Sequence, residues 1–372
     1  MSLRVAIVGA TGAVGEELLR VMEQRRFPVS ELLPMASERS AGRFVEFRGR
    51  RVAVVPLDVE LLKTCDVAFL SAGASVSRRL VPQLRGARVR VYDNTSAYRL
   101  DPEVPLVVPE VNARELTDRH HVASVGNCTG ILLVLALAPL ERAFGLARVV
   151  VSTYQAVSGA GRRALERLKD ELRRELDGAP GDATAQAADS AAALSATQSG
   201  TPSAAAAPTA GAPEPFAFNC IPAIGDIDAG DDVAARSTGE EKKVAAEVRR
   251  VLARPDLPIV ATCVRVPVLR AHSESVYVEL KDTGATLAAV RAALAAAPGV
   301  ELKDELARGV MPTPRQAAGS DGIHVGRLRP GDQPGSFAFF LAGDQLRKGA
   351  ALTAVQLAEL QLPAIRAASG VP

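Results

Sequence analysis

The sequence predicts an α/β domain built on a mostly parallel sheet, followed by a second, α+β domain built on a mixed sheet. Three observations carry that expectation. In the first third, short runs of β-forming residues alternate with stretches of helical periodicity, and strands separated by helices imply crossover connections. The second half changes texture, with a charged amphipathic helix set among neighbouring strand patterns. The length, 372 residues, suits about two domains, and 48% apolar residues are ample for sizeable cores.

The elements follow in order. Arg4–Gly9 reads as the first strand, and Gly12–Met22 carries apolar residues at helical spacing. Leu32–Ala36, Val52–Val55, Val67–Ala72 and Val89–Asp93 are further strands, and Val122–Val125 is a short one. Helix Thr129–Ala143 closes this unit near Gly145. Val149–Val157 then reads as a strand and Arg162–Leu176 as a charged helix. Ile259–Val268 and Ser275–Leu280 are strands, followed by helix Thr286–Ala297 and a short strand, Val300–Lys303. His324–Leu328 and Phe337–Ala342 complete the second sheet. The last helix, Gly349–Leu360, is expected to return to the first domain. The chain thus divides into residues 1–130, completed by 349–366, and residues 131–348. Gly178–Pro213 belongs to neither core. Ala, Ser, Thr, Gly and Pro dominate it, and it lacks the apolar surface that would offset its ordering entropy, so it reads as an excursion.

Composition excludes several classes of function. A net charge of +2 with no Lys/Arg-rich block gives no footprint for nucleic acid. The longest apolar stretch, Ile131–Ala138, falls well short of the roughly 20 residues a membrane helix needs. Met1-Ser2-Leu3-Arg4 runs straight into a strand, which leaves no room for a signal peptide. Cys65, Cys128, Cys220 and Cys263 lie far apart, which argues against a zinc site or a disulfide scaffold and suits a reduced, cytoplasmic setting.

The first chemical motif is Gly9-Ala10-Thr11-Gly12-Ala13-Val14-Gly15, between the first strand and the first helix. Glycines there permit a tight turn and let the backbone approach a pyrophosphate resting on the helix N-terminus, as in a Rossmann-like dinucleotide domain. The end of the second strand bears on which dinucleotide. Ala36-Ser37-Glu38-Arg39-Ser40-Ala41-Gly42 holds an acid suited to the free ribose of NAD and an arginine suited to the 2′-phosphate of NADP. The hydroxyls of Ser37 and Ser40 favour NADP.

The second motif is Gly126-Asn127-Cys128-Thr129-Gly130, with Cys128 at the start of the long apolar helix. A helix N-terminus favours thiolate, the species that attacks a carbonyl, although a lone cysteine at such a place is commonly a buried structural residue. Among four histidines, His272 is the candidate acid/base. It lies in Arg265-Val266-Pro267-Val268-Leu269-Arg270-Ala271-His272, a connection between two strands, where an imidazole can face a cleft between domains or simply meet solvent.

Taken together these motifs resemble the aspartate-semialdehyde dehydrogenase family. The resemblance also rests on Asn94 with Arg99, on Ser152-Thr153-Tyr154-Gln155 with Ser158-Gly159-Ala160-Gly161, and on Gly343-Asp344-Gln345-Leu346-Arg347-Lys348-Gly349-Ala350. It covers the chain except Gly178–Pro213, with Gly126 standing where the family usually has proline and Gly130 where it has Ser or Thr. The resemblance implies an NADP-dependent enzyme that interconverts aspartyl 4-phosphate and aspartate 4-semialdehyde through a cysteine thioester. The pathway implied leads to lysine, threonine and methionine, and the assembly implied is a homodimer. Cys128 would be the nucleophile, His272 the acid/base and Gln155 the group that orients the intermediate. Arg265 would grip the substrate carboxylate, Glu240 (with Glu241 as its rival) would face the amino group, and Asn127 would lie with them. Arg99 and Lys243 would hold inorganic phosphate. The cofactor would meet Gly9, Thr11, Gly12, Ala13 and Val14, then Ser37, Arg39 and Ser40, then Ser71, Ala72 and Gly73, with Ser158, Gly159 and Gln345 near the nicotinamide. The resemblance leaves two alternatives: a reductase of the N-acetylglutamyl-phosphate type, and a non-catalytic paralogue that only binds.

Overall fold

The structure, a computed structural model, describes residues 3–177, 214–227 and 237–368. The excursion 178–213 lies outside the described residues. The first half gives eight strands: β1 (Leu3–Val8), β2 (Val29–Ala36), β3 (Phe44–Phe47), β4 (Arg50–Ala53), β5 (Val55–Pro56), β6 (Val67–Leu70), β7 (Arg90–Asp93) and β8 (Val122–Ser124). Six of these form one all-parallel sheet in the order β5-β2-β1-β6-β7-β8. Parallel strands are covered on both faces, so β6 and β7 are buried at every residue. The crossovers include α1 (Ala13–Gln24), α2 (Val59–Lys63) and α3 (Ala74–Leu84).

The expected strand Val52–Val55 proves to be two elements. Arg50–Ala53 turns back on Phe44–Phe47 as a hairpin around Gly49 (φ 71°), and only Val55–Pro56 joins the main sheet. Helix α3 escapes the sequence reading because Pro82 lies inside it and Ser75, Arg78, Arg79 and Gln83 make its exposed face polar.

The connection to the second sheet is α4 (Cys128–Phe144), which is apolar on nearly all sides, as befits a helix buried between layers. Asn127 caps it: its side-chain oxygen accepts from Thr129 N–H and Gly130 N–H at 2.9 and 3.2 Å. That cap compensates for the glycine at 130.

The second sheet holds β9 (Leu146–Ala156), β10 (Ile259–Val266), β11 (His272–Leu280), β12 (Val300–Leu302), β13 (Ile323–Pro330) and β14 (Ser336–Gly343). Its order is β10-β9-β11-β14-β13-β12; β10–β9 and β13–β12 are parallel and the other pairs antiparallel, so the sheet is mixed. Helices α5 (Arg162–Leu176), α6 (Gly239–Val251) and α7 (Leu287–Ala295) accompany it. On the face away from α4, Tyr154 and Val260 are exposed, and Tyr154 stacks on Phe340 with ring centroids 6.0 Å apart.

The end of the chain returns to the first sheet. Helix α8 (Leu352–Leu360) is preceded by a π-helical turn, Arg347–Ala351, where a regular helix from Gly349 was expected. Gln361, just past α8, accepts from Tyr92 Oη at 2.8 Å, and Glu359 pairs with Arg25 of the first domain. None of the described helices is long and apolar enough to cross a membrane.

Candidate functional site

Parallel strands leave a crevice at their carboxyl ends where the order of strands reverses, and the glycine-rich loop sits at one such edge. Gly9 has φ 92°, and a Cβ there would stand 2.9 Å from the backbone of Ser71 at the end of β6. Gly15 packs equally close, since its Cβ would meet Gly9 O at 2.4 Å. Gly12, the N-cap of α1, offers no side-chain cap, so the first amides of Ala13 and Val14 face the crevice without a side-chain acceptor. Ser71, Ala72 and Gly73 lie alongside, with Gly73 (φ 97°) opening α3. Ser37, Arg39 and Ser40 stand on the short turn after β2, with Ser37 and Arg39 exposed. A backbone cradle, an uncapped helix start and exposed hydroxyl and guanidinium groups together fit a phosphorylated dinucleotide.

The second group of residues comes from the mixed sheet. Gln155 on β9 is in register with Arg265 on β10, and Ser273 on β11 is opposite Tyr154, so His272, Gln155 and Arg265 fall in one row on one face. All three are buried. His272 is the first residue of β11 and not part of a loop, as the sequence suggested. Its Nε2 faces Cys128 Sγ at 3.5 Å, and its Nδ1 accepts from Ala156 N–H at 2.9 Å. A neutral ring with Nδ1 accepting carries its proton at Nε2, toward the sulfur. The residue before it, Ala271, adopts φ 72°, and its N–H is held by Gln345 Oε1 at 2.8 Å. Gln345 in turn donates to Ser158 Oγ at 2.6 Å. Gly159 closes this corner: a Cβ there would come within 3.0–3.2 Å of the His272 ring and of Arg265 Nη1.

Electrostatics separate these groups by environment. Burial pushes the Cys128 thiol up to about 11, with Glu240 adding to the rise, while Arg99 and Arg265 pull it down. Burial, then the Arg265 charge, hold His272 well below its usual range, so the ring is neutral near pH 7. Arg265 donates to Ala156 O at 2.7 Å, yet this buried guanidinium has no carboxylate partner among the described residues.

Helix α6 supplies acids to the same face. Glu240 Oε1 accepts from Asn127 Nδ2 at 2.8 Å and lies 3.5 Å from Gln155 Nε2. Glu241 is committed elsewhere, closing the capping box with Thr238 and accepting from Cys263 N–H. Arg99 is buried near the nucleophile turn, donating to Val125 O and Asn94 O at 2.9 and 2.8 Å and pairing with Glu247 at 3.2 Å. The side-chain amide of Asn94 is buried beside it with neither polar atom bonded to protein. Lys243 is exposed on α6 and makes no ion pair among the described residues.

Sequence reasoning misses several residues that hold this arrangement. Glu247 is one, and its signal is the seven-residue spacing from Glu240 on one helix face. Lys348 is fully buried and bonds Glu110 through both carboxylate oxygens at 2.8 Å. Glu17 on α1 bridges Arg270 and Arg347 at 2.9 and 3.4 Å, and Arg270 also bonds Asp344 at 2.6 Å. No local pattern marks such long-range pairs.

Known proteins are similar to this chain over nearly its whole length. Residues 4–119 match the family model "Semialdehyde dehydrogenase, NAD binding domain", and residues 137–348 match "Semialdehyde dehydrogenase, dimerisation domain". The chain is 41% identical to an aspartate-semialdehyde dehydrogenase of Synechocystis sp. over 359 residues, covering 96% of this chain and 97% of that protein. It is 38% identical to the aspartate-semialdehyde dehydrogenase of Bacillus subtilis over 367 residues, 96% of each chain. Among solved structures, aspartate semialdehyde dehydrogenase II from Vibrio cholerae, complexed with ASA, superposes with a TM-score of 0.82 at 35% identity, covering 98% of this chain and 99% of that one. The chain belongs to the aspartate-semialdehyde dehydrogenase family, oxidoreductases of amino-acid biosynthesis.

Proposed function

We propose that this protein reduces aspartyl 4-phosphate to aspartate 4-semialdehyde with NADPH, and runs the reverse phosphorylating oxidation, through a thioester on Cys128 in the route to lysine, threonine and methionine. The observation that carries the reading is Arg265. A buried guanidinium without an ion pair among the described residues is costly, and its second edge can take an anion. A carboxylate bound there by two parallel bonds would lie on the face that presents Cys128 and His272. Glu240 would take the substrate ammonium, and Asn127 and Gln155, bonded to or beside it, would orient the acyl group.

The proton chemistry follows from the hydrogen bonds. Among the described cysteines Cys128 is the one whose sulfur faces His272; Cys263 lies on the same sheet face as Arg265 but buried opposite Thr153, Cys65 is buried in the first domain and Cys220 is exposed. Attack by the Cys128 thiolate places negative charge on the carbonyl oxygen next to the sulfur, and His272 Nε2–H, 3.5 Å from Sγ, would lie within reach of that oxygen. His272, neutral and fixed with its proton on Nε2 by Ala156 N–H, therefore donates a hydrogen bond to that oxyanion, which collapses by expelling phosphate. Arg99 and Lys243 would receive the phosphate, helped by the unbonded Asn94 amide.

The cofactor, when bound, supplies or takes up the hydride. NADP is favoured over NAD by Ser37, Arg39 and Ser40 beside the crevice. Gly9, Thr11, Gly12, Ala13, Val14, Ser71, Ala72 and Gly73 would hold its phosphates, and Ser158, Gly159 and Gln345 its nicotinamide. Residues 1–130 with 349–366 form the cofactor domain in this reading, and 131–348 the catalytic and dimerisation domain. A homodimer is supported by the name of the matched second-domain model and by the exposed Tyr154 and Val260 on the outer sheet face. The decisive assay mixes purified protein with aspartate semialdehyde, inorganic phosphate and NADP or NAD and follows absorbance of the reduced cofactor. Absence of phosphate-dependent reduction would refute the reading.

A further inference from the structure

Arg99 reaches the nucleophile turn with its charge already opposed. Glu247 Oε1 lies 3.2 Å from Arg99 Nη1, and Glu247 Oε2 accepts from Asn127 N–H, the amide just before Cys128, at 2.5 Å. Both partners are buried, with Arg99 8% and Glu247 3% exposed. Two further Arg99 donors are spent on Val125 O and Asn94 O, so the guanidinium is fixed in place without needing any anion. The backbone at 126 leaves room for this carboxylate: a Cβ there would stand 3.4 Å from Glu247 Oε2 and 3.1 Å from Ile131. This differs from Arg265, which is buried and makes no ion pair among the described residues, although it lies within the field of Glu240. Of the two buried arginines of the site, Arg265 is thus left open and Arg99 is tempered.

We propose that Glu247 is a positioning residue whose carboxylate sets the anion affinity of the Arg99 site, keeping inorganic phosphate weakly held while it anchors the turn that carries Cys128. The inference rests on reading Arg99 as a phosphate donor. Phosphate is a substrate in one direction and a product in the other, so a site that bound it tightly would slow one of them. A fixed carboxylate beside the arginine weakens every anion that approaches, and it does so without occupying the remaining donor edges. The bond to Asn127 N–H ties that carboxylate to the nucleophile turn, so the same residue sets both the local field and the local backbone.

The test is Glu247→Gln, which keeps shape and removes charge. In the oxidative assay with inorganic phosphate, its KM for phosphate should fall by about three- to tenfold, the scale expected when one like charge leaves a partly buried anion site. The KM for aspartate semialdehyde should move by less than about twofold, since Arg265 and Glu240 hold that substrate. In the reductive direction, added phosphate should inhibit the variant more strongly by the same factor. An unchanged or raised phosphate KM would overturn the proposal. Arg99→Gln separates the two readings. If it leaves the phosphate KM unchanged, Arg99 is not a phosphate donor; if it raises that KM while Glu247→Gln does not lower it, only the role of Glu247 fails. Should Glu247→Gln fail to fold, Glu247→Asp, which draws the carboxylate back by one methylene, should still lower the phosphate KM, and failure to do so counts equally against the idea.

Discussion

Gly349 closes on the back of Cys128: a Cβ at position 349 would stand 2.8 Å from the Cβ of the cysteine and 3.1 Å from its Cα. The π-helical turn Arg347–Ala351 makes this approach, with Gly349 N–H bonded to Asp344 O across five residues. Gly349→Ala should therefore displace the nucleophile. We expect turnover to fall by about 10²-fold, the usual effect of a shift near 1 Å in a reacting atom, with dinucleotide affinity intact. Steady-state kinetics alongside cofactor titration measure both. Wild-type turnover in the variant would mean that the turn yields instead of the cysteine.

The free enzyme should behave as one whose Cys128 is a thiol at neutral pH. Burial raises this thiol to about 11, and the thiolate fraction then climbs about tenfold per pH unit below that value. Inactivation by iodoacetamide should follow the same climb from pH 7 to 10 with no plateau. A plateau by pH 8 would show that the helix N-terminus and the two arginines outweigh burial.

His272→Asn should slow the chemical step by roughly 10²–10⁴-fold, the range for a positioned proton-handling group. Because burial and Arg265 hold the wild-type ring well below its usual range, protonation of His272 contributes no inflection to kcat/KM at pH 6–7. A limb near pH 6.5 that disappears in the variant would contradict this environment.

Arg265→Lys should raise the KM for aspartate semialdehyde and lower turnover by about 10²-fold, because an ammonium cannot reproduce two parallel guanidinium bonds. Affinity for NADP should not change. Arg270 is no substitute, since Glu17 and Asp344 already hold it. Wild-type kinetics in this variant would place the carboxylate elsewhere.

Glu274, two residues beyond His272 on β11, is fully buried and neither carboxylate oxygen has a hydrogen-bond partner among the described residues. Burial raises its pKa well above the usual carboxylate range. Between the unfolded and folded values the native state binds the extra proton, so stability falls as pH rises through that window. Glu274→Gln removes this linkage and should raise Tm relative to wild type at pH 8 more than at pH 4. Parallel melting curves at the two values check it; equal shifts would show that the carboxyl is not titrating differently in the fold.

The strands and the glycine loop of the first domain are legible because local pattern decides them: β-formers, a Gly-rich turn, then apolar residues at helical spacing. Arg162–Leu176 is legible to its ends for the same reason. The hairpin of β3 and β4 is not, since four-residue strands leave too little periodicity. Cys128 announces itself by its place at a helix start. Its facing by His272, 144 positions later, is a property of sheet pairing and α4 packing that no local pattern encodes. The same holds for Lys348 under Glu110, whereas Glu247 shares a helix face with Glu240 and only its pairing with Arg99 is hidden.

The row His272–Gln155–Arg265 has a consequence for what sequence change the family fold can absorb. Three adjacent strands each contribute one residue, and side chains along a strand alternate faces with a period of two. Inserting or deleting a single residue early in β9, upstream of Tyr154, would send the Gln155 amide to the outer face and turn Tyr154 inward. Restoring function then needs a second insertion in the same strand, or a bulge that takes up the extra residue. Length variation in this chain is therefore channelled into segments that leave the three registers untouched, and a single indel inside these strands is tolerated only where a bulge or a second change restores the face.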